Sequence, residues 1–388
     1  MTHSRHLLIL TSQTGGGHVS LAEALADLLA DGYSSTVVDP QPSWIHRHYQ
    51  LVSRHALWLW SAEFQITNTP ARAALVQRLF SLFFRSRLAA LIAREEPVAI
   101  LSTYPFFSYS VQQALGASGQ TIPLILLYSD PLSLHWAWLA VKDAALNLAP
   151  SREAYAQALA AGVMPAQTHL IGWPTRRQFY APDGDAAQAA WAETGFARQR
   201  LTIFLQGGGE GSAGFAQAVE ELLSLTDPGG EPALQLILAA GTNRRLLAAG
   251  TNRRLQQQFR DHPTCHVLPF TKTIAPWMAC ADLVMGKAGP NMLFEAVTLG
   301  KPFLATTFIP GQEEGNLEMI RKYGLGWVAL TPAEQMNLIR SLLDDASLLG
   351  AMQASVADYR AWNGTGVAQV RPLVEAAIAR YQPATRHR

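Results

Sequence analysis

The sequence is short of three things. Two cysteines in 388 residues, Cys265 and Cys280, exclude a disulfide-built scaffold or a cysteine-rich metal site and fit a reducing compartment. Charge is scarce: Asp, Glu, Lys and Arg make up 15% of the chain, where about a quarter is usual. The 30 basic side chains nearly cancel the 29 acidic ones, which argues against a general nucleic-acid binder, since those carry a large basic excess. Third, there is no long charge-free apolar run. The most membrane-like stretch, 74–93, holds Arg78, Arg85 and Arg87, which a spanning helix rarely tolerates; it can lie on a bilayer but is not expected to cross one. The opening MTHSRHLLILTS has no cleavage-site pattern, so no signal peptide is expected and the expected location is cytoplasmic. What is abundant is apolar surface. At 49% hydrophobic the chain is not disordered, and its length suffices for two cores.

From residue 6 to about 172, the short apolar runs HLLILT, STVVD, PVAILST, PLILLY, AALNL and THLI alternate with helical patterns. That is the rhythm of a parallel sheet with helices on both faces. A stretch rich in Asp, Gly, Ala and Gln, 181–199, interrupts it before LTIFL, LQLILAA, HVLPF, DLVMG, KPFLAT and GWVA resume. The expected class is α/β: an N-terminal Rossmann-like domain over 1–180, a linker over 181–199 and a second Rossmann-like domain over 200–362. A last helix, 371–382, is expected after a break at Asn363-Gly364, so that 363–388 could pack back on the first domain. AAGTNRRLL at 239–247 is followed at once by AAGTNRRLQ, a local duplication rather than a solenoid, whose repeats run about 20–50 residues.

The first chemical motif is Thr14-Gly15-Gly16-Gly17-His18, between strand HLLILT and helix HVSLAEALADLL. Glycines at a strand-to-helix turn let backbone N–H groups approach a ligand, and the helix N-terminus favours negative charge. The spacing is not G-x-G-x-x-G, which disfavours a nicotinamide dinucleotide and an oxidoreductase. A second glycine loop, Gln206-Gly207-Gly208-Gly209-Glu210-Gly211, follows LTIFL. Ligands of open α/β sheets bind at the carboxyl ends of the strands, so both halves present a glycine turn where a ligand belongs. The most specific stretch holds Lys287-Ala288-Gly289-Pro290, Glu295-Ala296 and then Pro310-Gly311-Gln312-Glu313-Glu314-Gly315-Asn316. Gly289-Pro290 opens a helix whose free amides could face a diphosphate. Glu295 could reach a sugar hydroxyl pair, and Gln312, Glu313 and Asn316 suit a polyhydroxylated ring.

These blocks resemble the monogalactosyldiacylglycerol synthase and processive diacylglycerol glucosyltransferase family, itself related to the enzyme that adds N-acetylglucosamine to the lipid-linked peptidoglycan precursor. The resemblance spans nearly the whole chain and is strongest over 265–320. It implies a GT-B fold, two Rossmann-like domains facing across a cleft, and inverting transfer of galactose or glucose from a UDP-sugar to diacylglycerol. It also implies no cofactor and no metal, and a peripheral place on the cytoplasmic face of the cell membrane. By the same resemblance His18 is the glycine-loop histidine, a base or a contact to the reacting sugar, and Asp130 in LLYSDPLSLHWAW is a family aspartate followed by a His and a Trp. Gly17, Gly208, Gly209, Lys287, Gly289 and Pro290 fall on the donor side, with Glu295 on the ribose. Gln312, Glu313 and Asn316 fall on the donor sugar, and the backbone around Phe270 on the uracil. Tyr104-Pro105 stands where relatives commonly have His-Pro, and Glu210 and the duplication are not family features.

An inverting transfer needs a base for the acceptor hydroxyl, and histidine is suited near neutral pH. His18 is the first choice; Asp130 could serve instead or orient the imidazole. Residues 40–94 carry seven arginines against Glu63 alone, with many aromatics. Arginine with interfacial aromatics is how a peripheral protein meets anionic lipid, so Trp58, Trp60, Arg78, Phe83, Phe84, Arg85 and Arg87 are expected at a membrane or acceptor surface. Core packing of the aromatics is the competing account, and binding of nucleic acid is not expected. Transfer of N-acetylglucosamine to another lipid-linked acceptor, or a sugar-nucleotide binding protein that has lost catalysis, are the alternatives.

Overall fold

All twelve apolar runs form strands in the computed structural model, which describes residues 5–13, 17–42, 45–47, 65–180, 184–206, 215–239, 258–269 and 271–381. They make two six-stranded sheets, and every ladder in both is parallel. Strands covered on both faces read as continuous hydrophobic runs rather than alternating ones, which is why LILL at Leu124–Leu127 and LQLILA at Leu234–Ala239 are buried along their whole length. The chain divides into two compact units, one of 1–177, 310–315 and 362–388, the other of 178–309 and 316–361.

In the first unit the strands are β1 (His6–Leu10), β2 (Ser34–Val38), β3 (Ala99–Ser102), β4 (Leu124–Leu127), β5 (Leu146–Ala149) and β6 (Thr168–Leu170), in the order β2-β1-β3-β4-β5-β6. Helix α1 (Gly17–Leu29) follows β1, α2 (Pro70–Glu95) precedes β3, α3 (Ser108–Ser118) follows it and α4 (Arg152–Ala160) follows β5. The order leaves β1 one way to β2 and then returns to β3, so the topological switch point lies between the carboxyl ends of β1 and β3.

The second unit has β7 (Leu201–Gln206), β8 (Leu234–Ala239), β9 (Cys265–Leu268), β10 (Leu283–Lys287), β11 (Phe303–Thr307) and β12 (Gly326–Val328), in the order β12-β11-β10-β7-β8-β9. Counted from β7 this is the 3-2-1-4-5-6 order of a doubly wound nucleotide-binding sheet, with its switch point between β7 and β10. Residues 184–194, expected within a linker, are a helix of this unit, α5 (Gly184–Thr194). Its AAQAAWA core is a strong helix former, and Cys280 Sγ lies 3.6 Å from the Ala187 carbonyl.

The expected break at Asn363-Gly364 does not occur. One helix, α6 (Ala346–Val367), runs through it and α7 (Val370–Tyr381) follows. From Trp362 onward the chain belongs to the first unit. There Asn363 is buried and brackets Trp173, accepting from its amide at 2.6 Å and donating to its carbonyl at 3.0 Å. A Cβ at Gly366 would stand 2.5 Å from the Ile171 carbonyl oxygen, so glycine here serves close backbone approach rather than a turn.

Candidate active site

His18 opens α1 at the first switch point. Its Nδ1 lies 2.8 Å from the Thr103 carbonyl, just past β3; a carbonyl only accepts, so the neutral ring carries its proton on Nδ1 and leaves Nε2 as a bare acceptor. Thr103 also returns its hydroxyl to the His18 carbonyl at 3.0 Å, so one residue fixes both ring and backbone. Tyr104 packs edge-on against the imidazole, ring centroids 5.1 Å apart. Burial pushes the His18 pKa down to about 4, against the opposing Thr103 bond and the charge of Asp39. Asp39, at the end of β2, accepts from the Gln13 amide at 2.6 Å and pairs with His46 at 2.8 Å, pinning the β1 loop to its neighbour.

Asp130 follows β4 on the same sheet edge. Its Oδ2 accepts from the Trp138 indole at 3.0 Å and the His135 amide at 3.4 Å. Desolvation outweighs both bonds and raises its pKa to about 6. The loop that carries it is held from behind: the Ser151 hydroxyl donates to the Pro131 carbonyl, and Gln157 accepts from the Leu134 amide at 3.0 Å. No hydrogen bond joins His18 to Asp130 among the described residues. The strands that present them, β1 and β4, are two ladder spacings apart, about 10 Å.

Helix α2 has two apolar faces. Ala73, Gln77, Ser81, Phe84, Leu88 and Leu91 are buried at helical spacing. On the opposite side Leu75, Leu79, Leu82 and Phe83 are exposed, Leu82 by 76% and Phe83 by 73%. That is an i, i+4, i+7, i+8 stripe, and Arg72, Arg78, Arg85 and Arg87 stand exposed around it. No helix among the described residues is long and apolar enough to cross a membrane.

In the second unit β10 carries Lys287 to the carboxyl edge, and the helix Pro290–Thr298 opens directly after it with Gly289, which has no side chain to cap it, at the N-cap. A Cβ at Gly286 would meet Met292 Cε at 2.8 Å and the Gln206 carbonyl at 3.1 Å, so a larger residue here would press on the Met292 side chain and the β7 backbone. Glu295 is buried on this helix. Asn316 is also buried and donates to the Ala288 carbonyl at 2.7 Å, fixing the turn before Gly289. The boundary between units falls inside the Pro310–Asn316 motif: Gln312, exposed, and Glu313, buried, lie in the first unit and Asn316 in the second.

Residues 202–322 match the model of the glycosyltransferase family 28 C-terminal domain. The chain is a homologue of the monogalactosyldiacylglycerol synthases: it is 28% identical over 349 residues to the probable chloroplastic synthase 2 of Oryza sativa subsp. indica, covering 85% of this chain and 72% of that protein. It is likewise 28% identical over 349 residues to the Spinacia oleracea synthase, covering 85% and 64%. Among solved structures, Acinetobacter baumannii MurG superposes over 96% of this chain and 99% of its own with a TM-score of 0.61 at 16% identity. Anabaena HepE in complex with UDP and glucose covers 97% and 100% with a TM-score of 0.56 at 14% identity. The fold is GT-B.

His18 and Asp130 share the edge of the first sheet, while Lys287, Gly289, Pro290 and Glu295 lie on β10 and the helix after it, beside the second switch point. Gly208, Gly209, Phe270, Trp58, Trp60 and the 239–256 duplication beyond Ala239 lie outside the described residues. Phe84 is a correction: at 2% exposure it is core, edge-on to Phe107 at 5.7 Å between centroids, because it points about 100° around the helix from Phe83. Sequence reasoning missed Thr103, although it directly precedes the Tyr104-Pro105 pair, and Gln77, a polar residue inside an apolar helix face. The second had a legible signal, since a polar residue on a buried stripe needs a partner.

Proposed function

We propose that this glycosyltransferase moves a hexose from a UDP-sugar to the hydroxyl of diacylglycerol at a membrane surface, with inversion and without a metal ion. The observation that carries the reading is His18, held neutral at a switch point with its Nδ1 proton on the Thr103 carbonyl and Nε2 as the acceptor nitrogen, in a chain homologous to monogalactosyldiacylglycerol synthases. On this reading Nε2 takes the acceptor proton as the oxygen attacks the anomeric carbon. The UDP leaving group gathers negative charge, which the first amides of the Pro290–Thr298 helix and Lys287 stabilise without a cation. Glu295 takes the ribose hydroxyls, and Gln312, Glu313 and Asn316 take the sugar, with Asn316 offering its carbonyl oxygen because its amide nitrogen serves Ala288. Gly17, Gly208, Gly209 and the backbone at Phe270 complete the donor side.

The acceptor approaches over α2. Its exposed leucines and Phe83 enter the apolar boundary of the bilayer while Arg78, Arg85 and Arg87 meet anionic headgroups. The protein is then peripheral and faces the cytoplasm.

The test is incubation with diacylglycerol in anionic vesicles and EDTA, with radiolabelled UDP-galactose, UDP-glucose and UDP-N-acetylglucosamine in separate tubes. Label entering the lipid phase from one hexose donor supports the reading and names the donor. Label from UDP-N-acetylglucosamine alone moves the protein to another acceptor class, and UDP binding without any label overturns catalysis.

A further inference from the structure

We propose that Gln77 is the positioning residue that keys the surface helix α2 to both acceptor-edge loops, so that one buried amide sets the spacing of His18 and Asp130. The inference rests on the lipid-acceptor reading above. Gln77 is 1% exposed and sits on the buried face of α2, opposite the exposed stripe. Its Nε2 lies 2.6 Å from the Pro105 carbonyl and 2.9 Å from the Ala137 carbonyl. Pro105 directly follows the Thr103-Tyr104 pair that grips His18. Ala137 stands between His135 and Trp138, the two residues that donate to Asp130.

An amide is the group this position needs. Its N–H donors reach carbonyls on two different loops, with the Ser108 hydroxyl 3.1 Å away beside the first; an apolar residue would take this donor from both loops, leaving the Pro105 carbonyl to the Ser108 hydroxyl alone, and a carboxylate would set oxygen against oxygen. The carbonyl oxygen of Gln77 itself has no partner among the described residues. The segment leading into α2 repeats the connection at two points. Asn68 Oδ1 accepts from the Trp136 amide at 2.9 Å, and Thr67 Oγ1 lies 3.2 Å from His135 Nε2. The helix that would touch lipid is therefore bonded straight to the backbone that holds both candidate bases.

The test is Gln77→Met, close in volume and without donors. Amide hydrogen exchange should quicken in both loops, 103–108 and 135–138, while the second unit is unchanged. Turnover should fall about ten- to a hundredfold, the penalty of misplacing reacting groups by about 1 Å, with the KM for the UDP-sugar and flotation on anionic vesicles unaltered. Wild-type kcat, or exchange unchanged in either loop, overturns the proposal. Should Gln77→Met fail to fold, Asn68→Ala must slow turnover with quickened exchange at 135–138 alone, and unchanged turnover there overturns it as well. A wild-type protein that glycosylates no diacylglycerol sinks the functional reading instead, and the exchange data still decide the role of Gln77 as the bond between the loops.

Discussion

At neutral pH His18 is an uncharged base and Asp130 a carboxylate close to taking up its proton, and this difference separates their roles. Each accepts a proton only when deprotonated, so activity depending on either is lost as pH falls, at different places. With His18 as the base, kcat/KM holds level down through pH 6 and falls only near its pKa of about 4, because kcat/KM reports the free enzyme. A limb centred near pH 6 would move the base to Asp130. His18→Ala should lower turnover by about two to four orders of magnitude. Stability gives an independent reading. The folded pKa of Asp130 lies above its ordinary 3.8, so the ionised group opposes folding fully above pH 6, and the fold gains as pH falls from 6 to 3.8. Asp130→Asn keeps an acceptor for Trp138 and removes the charge. It should raise stability at pH 8 by at most about 3 kcal/mol and change nothing at pH 3.5. His18 works with opposite sign: its folded pKa is depressed from 6.5, so the unfolded chain protonates first and stability is lost as pH falls from 6.5 toward 4. Melting curves of Asp130→Asn against the wild type at the two pH values check the first statement, and equal melting at pH 8 would contradict it.

Helix α2 shows what a sequence conceals at the scale of one element. Its arginines and aromatics were legible as a lipid-facing composition, but its phase was not, because apolar residues occupy two opposite faces and cancel the usual amphipathic pattern. The pair Phe83 and Phe84 makes the point, one exposed by 73% and its neighbour by 2%. Their substitutions should diverge accordingly. Phe84→Ala removes a buried ring packed against Phe80 and Phe107 and should cost about 3–5 kcal/mol. Phe83→Ala should change stability by no more than about 0.5 kcal/mol. The reverse holds on vesicles: Leu79→Glu with Leu82→Glu should abolish flotation with folding intact, and replacing Arg78, Arg85 and Arg87 should weaken it most at low salt. Vesicle binding indifferent to both sets would return α2 to a purely structural role.

Across the whole molecule, every strand was legible because parallel strands buried on two faces are written as short apolar runs, and the motif glycines then marked where the sheets switch direction. The return of the chain to the first domain was expected, but not the unbroken helix that carries it through 363–364. Asn363-Gly364 reads as a helix end by local propensity, yet the helix passes through: Asn363 answers to Trp173, 190 positions away, and Gly366, three residues on, to the Ile171 backbone. A contact of that range leaves no periodic trace in the sequence, and only the pairing explains the residue types. Asn363 donates and accepts where Trp173 accepts and donates, and both groups are buried. Asn363→Ala removes the partner of two backbone groups at about 1–3 kcal/mol apiece, so a loss of about 2–6 kcal/mol is expected. The loss belongs to the first unit, which holds both partners. Amides of β5 and β6 should therefore exchange faster in this variant while those of β7 through β12 keep their protection. Faster exchange spread evenly over both sheets would mean that the carboxyl-terminal segment stabilises the protein as one cooperative body rather than completing the fold of the unit it returns to.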